Sequence, residues 1–196
     1  MANSIQVVDN FLPDEIFYPF ASVCMRHQSY VPRDYSAFEK EADGSIDRFG
    51  EDLTPVDQKS FAEIILQCVL YARFATDITV HDIYLYYPLF FRKLEEYLNV
   101  KRWILMRINC TMGQPKPYVG AYHVDFDEKN LDIHDQTTTS IFYLNSNNGG
   151  TQFKDDKFVQ SKKNRLVTFP TNTYHAGVWS TDAKLRYVLN MTYETK

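Results

Sequence analysis

From Trp103 onward the hydrophobic pattern shortens to a period of about two, and this change restricts the possible folds more than any other stretch of the chain. Runs rich in β-branched and aromatic residues occupy Trp103–Cys110, Tyr118–His123, Thr137–Asn145, Thr151–Lys154, Lys157–Gln160, Arg165–Pro170, Tyr174–Ser180 and Leu185–Tyr193. Turn-forming stretches separate them, notably Gly113-Gln114-Pro115, Asn145 to Gly150, Lys162 to Asn164 and Pro170 to Asn172. About eight short strands at close spacing predict a sandwich or barrel, and eight is the strand count of a double-sheet jelly roll.

The first half of the chain reads differently. Ser4 to Val8 is a short strand, Asp9-Asn10 turns the chain, and a helix is predicted from Pro13 to Arg26. Pro13 suits a first helical turn, and Asp14 and Glu15 suit its positive end. Ser29 to Thr54, rich in charge, Gly and Pro, reads as irregular surface. Thr54-Pro55-Val56-Asp57 is a plausible helix start, and Phe61, Ile64, Ile65, Cys68, Val69 and Ala72 recur at helical spacing, predicting a helix with one face on a sheet. Asp82 to Tyr87 is ambiguous, and Pro88 to Asn99 reads as a helix with Phe90, Leu94 and Leu98 on one side. A length of 196 residues suits one domain with its own core. The expected fold is therefore α+β over residues 1–196: a strand and supporting helices (1–102) packed on one sheet of a double-stranded β-helix, a cupin-like jelly-roll core (103–194).

A net charge of -4 and a pI near 5.7 argue against a protein built to neutralise phosphates, so nucleic acid is not the expected partner. Cys24, Cys68 and Cys110 are odd in number and widely spaced, which indicates neither a disulfide framework nor a zinc site. The opening lacks the basic and apolar regions of a signal peptide, and the longest apolar run, Ile83 to Phe91, is too short to span a bilayer. A cytoplasmic protein without membrane attachment is expected.

Within the strand-rich half, Tyr122-His123-Val124-Asp125 carries the first sign of chemistry. In extended backbone alternate side chains share a face, so His123 and Asp125 point together. Five His and 16 Asp in 196 residues give roughly 0.4 His-x-Asp pairs by chance, so companions decide its weight. A second His would complete a 2-His-1-carboxylate set with open positions, the arrangement of non-haem Fe(II) sites. His175, at the start of the seventh strand, is the candidate, since the second and seventh strands of a jelly roll can lie side by side. His134, in the polar Asp132-Ile133-His134-Asp135, competes, while His27 and His81 suit surface or core positions better.

Arg186 lies eleven residues beyond His175, in Leu185-Arg186-Tyr187-Val188-Leu189-Asn190-Met191. Alternation puts Arg186, Val188 and Asn190 on one face. A cation inside so apolar a strand is costly unless paired. A diacid ligand would pair with it through the guanidinium fork, and an internal Asp or Glu would do so equally well. Tyr143 shares a face with Thr139 and Ile141; its hydroxyl could join Arg186, or it could be a core Tyr with a wet tip.

These residues carry a resemblance. His123-Val124-Asp125, Ser140-Ile141-Phe142-Tyr143-Leu144-Asn145, Gly149-Gly150-Thr151-Gln152-Phe153, Leu166-Val167-Thr168-Phe169-Pro170, His175 and Arg186-Tyr187 occur in the order seen in Fe(II)/2-oxoglutarate dioxygenases, and the chain most resembles the prolyl 4-hydroxylase-like branch. The opening Ile5-Gln6-Val7-Val8-Asp9-Asn10-Phe11-Leu12 is also similar to the start of many members. The resemblance implies that His123, Asp125 and His175 hold Fe(II), that Arg186 grips the far carboxylate of 2-oxoglutarate with help from Tyr143, and that Thr139 and Asn190 line the pocket. It further implies O₂ as co-substrate, ascorbate as reductant, succinate and CO₂ as co-products, and a prolyl residue of a peptide or protein as substrate. A free amino acid or other small molecule is the alternative substrate, with Arg107, Asp127 or Lys129 as charged partners. A jelly-roll binding module with a structural metal is the non-enzymatic alternative. Two departures stand out. Asn109-Cys110-Thr111 stands where relatives often place a pocket Tyr, and the interval from His175 to Arg186 is long, leaving Lys184 as a rival anchor.

Overall fold

The computed structural model describes residues 5–26, 30–34, 64–74, 77–125 and 137–196. The first half supplies β1 (Gln6–Val8), α1 (Asp14–Arg26), β2 (Val31–Asp34), β3 (Ile64–Phe74), β4 (Asp77–Val80), α2 (Asp82–Tyr86) and α3 (Pro88–Leu98). Among the described residues the regular elements of the second half are all strands: β5 (Val100–Met112), β6 (Thr137–Tyr143), β7 (Gly150–Phe153), β8 (Phe158–Gln160), β9 (Arg165–Pro170), β10 (His175–Val178) and β11 (Leu185–Thr195). One large sheet runs β1-β9-β6-β11-β5-β3-β2, with β4 paired to β3, and a smaller sheet runs β10-β7-β8.

The two sheets form the jelly roll. β11 lies between β5 and β6, antiparallel to both, and so joins the halves of the large sheet. The expected strand Tyr118–His123 builds no ladder; it is held to β10 by two isolated bridges, Val119 with Val178 and His123 with His175. That segment therefore edges the small sheet and carries His123 to the side of β10.

Alternation along β11 separates two cores. Tyr187, Leu189, Met191 and Tyr193 face the helices, where they pack with Phe17, Phe20, Phe90, Leu94, Met106 and Phe142. Phe20 and Phe90 stack there with ring centroids 3.6 Å apart. Each large apolar side chain buried in this layer stabilises the fold by roughly 1.5–3 kcal/mol. The opposite face turns Val188 between the sheets, against Ile141, Tyr143, Phe153, Val159, Val167 and Phe169. Hence the helices cover the outside of the large sheet, as the amphipathic pattern of Pro88–Asn99 requires, and the space between the sheets is left for a site. Helix α3 begins at Pro88 and ends where Asn99 adopts a left-handed conformation, φ 52°, its N–H donating to the Glu95 carbonyl.

Two further expectations need correction. The helix predicted through Ile64–Ala72 is strand β3; residues 54–63 of that prediction lie outside the described residues. β3 is covered on both faces, so its apolar residues do not alternate with polar ones, and a register shift between Val69 and Tyr71 breaks the period further. What remains imitates a helical spacing. Within the segment read as irregular surface, Val31–Asp34 pairs with β3 as an edge strand.

Candidate active site

His123 and His175 meet through paired backbone hydrogen bonds, His123 N–H to His175 O at 2.9 Å and His175 N–H to His123 O at 3.0 Å. Extended backbone after His123 then brings Asp125 to the same place. One ligand atom from each of His123, Asp125 and His175 lies within 4.8 Å of the others, and this is the group of potential metal ligands found among the described residues. Asp125 and His175 are buried, His123 partly so.

Each of the three is held from behind. The Nδ1 atoms of His123 and His175 lie 3.1 and 3.0 Å from the carbonyls of Ala121 and Thr173. A carbonyl only accepts, so Nδ1 carries the proton and Nε2 keeps its lone pair for a metal. Asp125 Oδ1 accepts from Arg107 Nη2 at 3.3 Å, while Oδ2 sits 3.7 Å from His175 Nε2. Burial, reinforced by the nearby His175 ring, lowers the pKa of His123 to about 4, so its ring is neutral and able to ligate at pH 7. Two neutral imidazoles and one carboxylate oxygen, oriented together by these contacts, fit a divalent first-row metal such as Fe(II).

The other end of the interior is organised around Arg186. It is 4% exposed, and its Nη2 donates to the Gly150 carbonyl at 2.8 Å. Among the described residues its Nε is buried without a hydrogen-bond partner, and no Asp or Glu pairs with it. The internal ion pair that sequence left open is thus not formed among those residues. Burial pulls its pKa down, opposed by Tyr143, but a guanidinium stays charged at any working pH. A buried cation with an unpaired donor fits an anionic ligand.

The remaining predicted residues take definite places. The Tyr143 ring lies beside the Arg186 guanidinium, 5.7 Å from it, while its hydroxyl is engaged with Thr151 Oγ1 at 2.8 Å and the Val159 carbonyl at 3.1 Å. Burial raises the Tyr143 pKa, so it remains a phenol. Thr139 is fully buried and donates to Thr171 Oγ1. Asn190 stands between Arg107 on β5 and Ile141 on β6. Lys184 is exposed ahead of β11. His27, Asp127, Lys129 and His134 lie outside the described residues, and His81 caps α2, its Nδ1 accepting from Ile83 N–H.

Sequence reasoning missed three contributors to this interior. Arg107, which the sequence offers as a charged partner for a small-molecule substrate, is the donor to Asp125. Gln67 was assigned to a helix, yet its Nε2 donates to Asn109 Oδ1 at 3.0 Å inside the jelly roll. Trp179, buried just past β10, is not singled out by the sequence; the small residues Gly177 and Gly120, against which its ring lies, are the available signal.

No protein-family model matches the sequence, and no curated protein matches it. Solved structures do. A prolyl hydroxylase from Trichoplax adhaerens, in complex with a hypoxia inducible factor peptide, is similar with a TM-score of 0.57 at 13% identity, over 98% of this chain and 84% of that one. The viral collagen prolyl hydroxylase of Paramecium Bursaria Chlorella virus-1, in complex with 2-oxoglutarate, has a TM-score of 0.54 at 12% identity, over 98% and 96%. The α-ketoglutarate-dependent epimerase SnoN of nogalamycin biosynthesis has a TM-score of 0.59 at 11% identity, over 98% and 78%. The chain therefore has the jelly-roll fold of the prolyl hydroxylases and other 2-oxoglutarate- and Fe(II)-dependent oxygenases.

Proposed function

We propose that this chain is an Fe(II)- and 2-oxoglutarate-dependent oxygenase that hydroxylates an unactivated C–H bond of a prolyl residue in a peptide or protein. One observation carries the reading: the same interior holds His123, Asp125 and His175 with ligand atoms within 4.8 Å, and a buried Arg186 without an acidic partner among the described residues. His123 Nε2, His175 Nε2 and Asp125 Oδ2 are the atoms that would hold the metal. Arg186 would pair with the far carboxylate of 2-oxoglutarate, and Thr139, Tyr143 and Asn190 would line its pocket.

Iron bound there supplies, with 2-oxoglutarate and O₂, the oxidising power to replace C–H by C–OH, releasing succinate and CO₂. The chain's own residues orient and shield. Arg107 fixes the Asp125 carboxylate, the Ala121 and Thr173 carbonyls fix the imidazoles, and Phe153 and Phe169 flank His175, with ring centroids 6.3 and 4.8 Å away, keeping water from that side. Ascorbate would keep the metal ferrous. The similarity to prolyl hydroxylases, one of them solved with a peptide, supports a peptidyl substrate. The similarity to an epimerase of nogalamycin biosynthesis supports the second reading, a small-molecule substrate.

Succinate formation by anaerobically iron-loaded protein, given 2-oxoglutarate, ascorbate and air, tests the proposal. Succinate that rises with a proline-rich peptide is the expected result. Slow, peptide-independent succinate would move the substrate to small molecules, and no succinate from iron-loaded protein would leave only the binding module.

A further inference from the structure

Buried polar atoms without a partner are rare in folded proteins, and each calls for an explanation. Three of them among the described residues are Thr111 Oγ1, Trp179 Nε1 and Arg186 Nε. Thr111 stands directly opposite Arg186 across β5 and β11, so the two side chains leave the same face of the large sheet. That face is the inner one, which it shares with Val188 and Asn109. From the small sheet, His175 and Gly177 stand opposite Phe153 and Thr151, and Trp179, one residue past β10, continues their alternation with its backbone N–H donating to the Tyr118 carbonyl and its ring edge-on to that of Tyr118. Its indole lies over glycines: a Cβ on Gly120 would come within 2.8 Å of the ring, and one on Gly177 within 3.3 Å. Arg186 bridges the gap, because its Nη2 reaches the carbonyl of Gly150, and Gly150 pairs with Val178, the residue before Trp179.

The three groups share a chemistry. A guanidinium N–H and an indole N–H only donate, and the Thr111 hydroxyl can donate as well. A water molecule offers two lone pairs to such a set, whereas a carboxylate offers about four in one plane and the charge that Arg186 lacks. Tyr143, the helper expected from sequence, stands beside Arg186 and shares its hydroxyl with Thr151 and Val159.

We propose that Thr111 and Trp179 complete, with Arg186, a three-donor cradle for the far carboxylate of the bound 2-oxo diacid, and so set the preference of this site for diacids. The proposal rests on the oxygenase reading above and adds two residues to it. In this chain the small Thr111 gives its hydroxyl to the ligand, and the cleared space over Gly120 and Gly177 lets an indole approach from the opposite sheet.

Calorimetric titration of the Mn(II)-loaded chain under anaerobic conditions tests it, with 2-oxoglutarate and with 2-oxobutyrate, which keeps the keto acid and lacks the far carboxylate. Thr111→Val and Trp179→Phe should each raise the Kd for 2-oxoglutarate about tenfold and leave that for 2-oxobutyrate unchanged. In the Trp103→Phe protein, whose remaining tryptophan is Trp179, 2-oxoglutarate should shift the emission and 2-oxobutyrate should not. Unchanged 2-oxoglutarate affinity in both variants, or equal losses for both ligands, would overturn the cradle while the oxygenase reading stood. Wild-type protein that binds neither keto acid would overturn the oxygenase reading itself.

Discussion

The two ends of the jelly-roll interior are finished in different ways. At the His123–Asp125–His175 end the chain itself locks each potential metal ligand: each imidazole is tied to the carbonyl two residues earlier, and Asp125 is tied to Arg107. At the Arg186 end three donors are left buried without partners, and the one neutralising charge they need is not supplied by the described residues. A metal demands fixed geometry before it arrives, so preorganisation belongs with the protein. In the proposed function a diacid would bring its own acceptors, so donors left open would cost stability without the ligand and return it as affinity.

The contrast can be broken at either end. Asp125→Ala should weaken metal binding by at least about a hundredfold, because it removes the only carboxylate of the set; metal titration reads this directly. Arg186→Ala should leave metal affinity within about twofold and raise the Kd for 2-oxoglutarate by at least about thirtyfold, the cost of truncating one half of a buried charge pair. Lys184→Ala, on the exposed side of the same strand entrance, should change neither; a larger effect than that of Arg186→Ala would move the anchor.

Smaller effects sharpen the comparison. Arg107→Gln should weaken metal binding about tenfold without touching the 2-oxo acid, since it loosens only the Asp125 carboxylate. Cys110 packs on the helix side of β5, so Cys110→Ser should retain full metal affinity and lose about 1 kcal/mol of stability in urea denaturation. Asp9 lies outside both ends and joins the start of the chain to Arg165 and Lys162. Its hydrogen bond to Arg165 above all lowers its pKa from the usual 3.8 to about 2. A depressed carboxylate stabilises the fold above pH 3.8 and loses that contribution as the pH falls through about 2. The pair is partly exposed to solvent, which screens it, so Asp9→Asn should cost only about 0.5 kcal/mol at neutral pH and nothing at the acid limit.

How far the sequence could be read follows from the range of the interactions involved. The strands after Trp103 are legible because turns and alternation are local, and His123 with Asp125 because two residues of extended backbone fix their common face. Arg186 is legible as a cation in an apolar strand, a conflict visible without coordinates. β3 is not, because burial on both faces erases the alternation on which strand reading depends. Thr111 and Trp179 are not either. Their significance is that Thr111 Oγ1 and Trp179 Nε1 find no hydrogen-bond partner among the described residues, and a missing partner is a property of the assembled interior rather than of any stretch of chain.

That one ligand spans both ends is tested most directly by the thermodynamic coupling between metal and diacid. Titration of 2-oxoglutarate and of glutarate, which has both carboxylates and no keto group, would be measured with and without Mn(II). A keto acid that touches the metal while its far carboxylate rests on Arg186 should bind at least about tenfold more tightly when the metal is present, whereas glutarate should gain far less. Equal 2-oxoglutarate affinity with and without the metal would mean that the two ends do not serve one ligand.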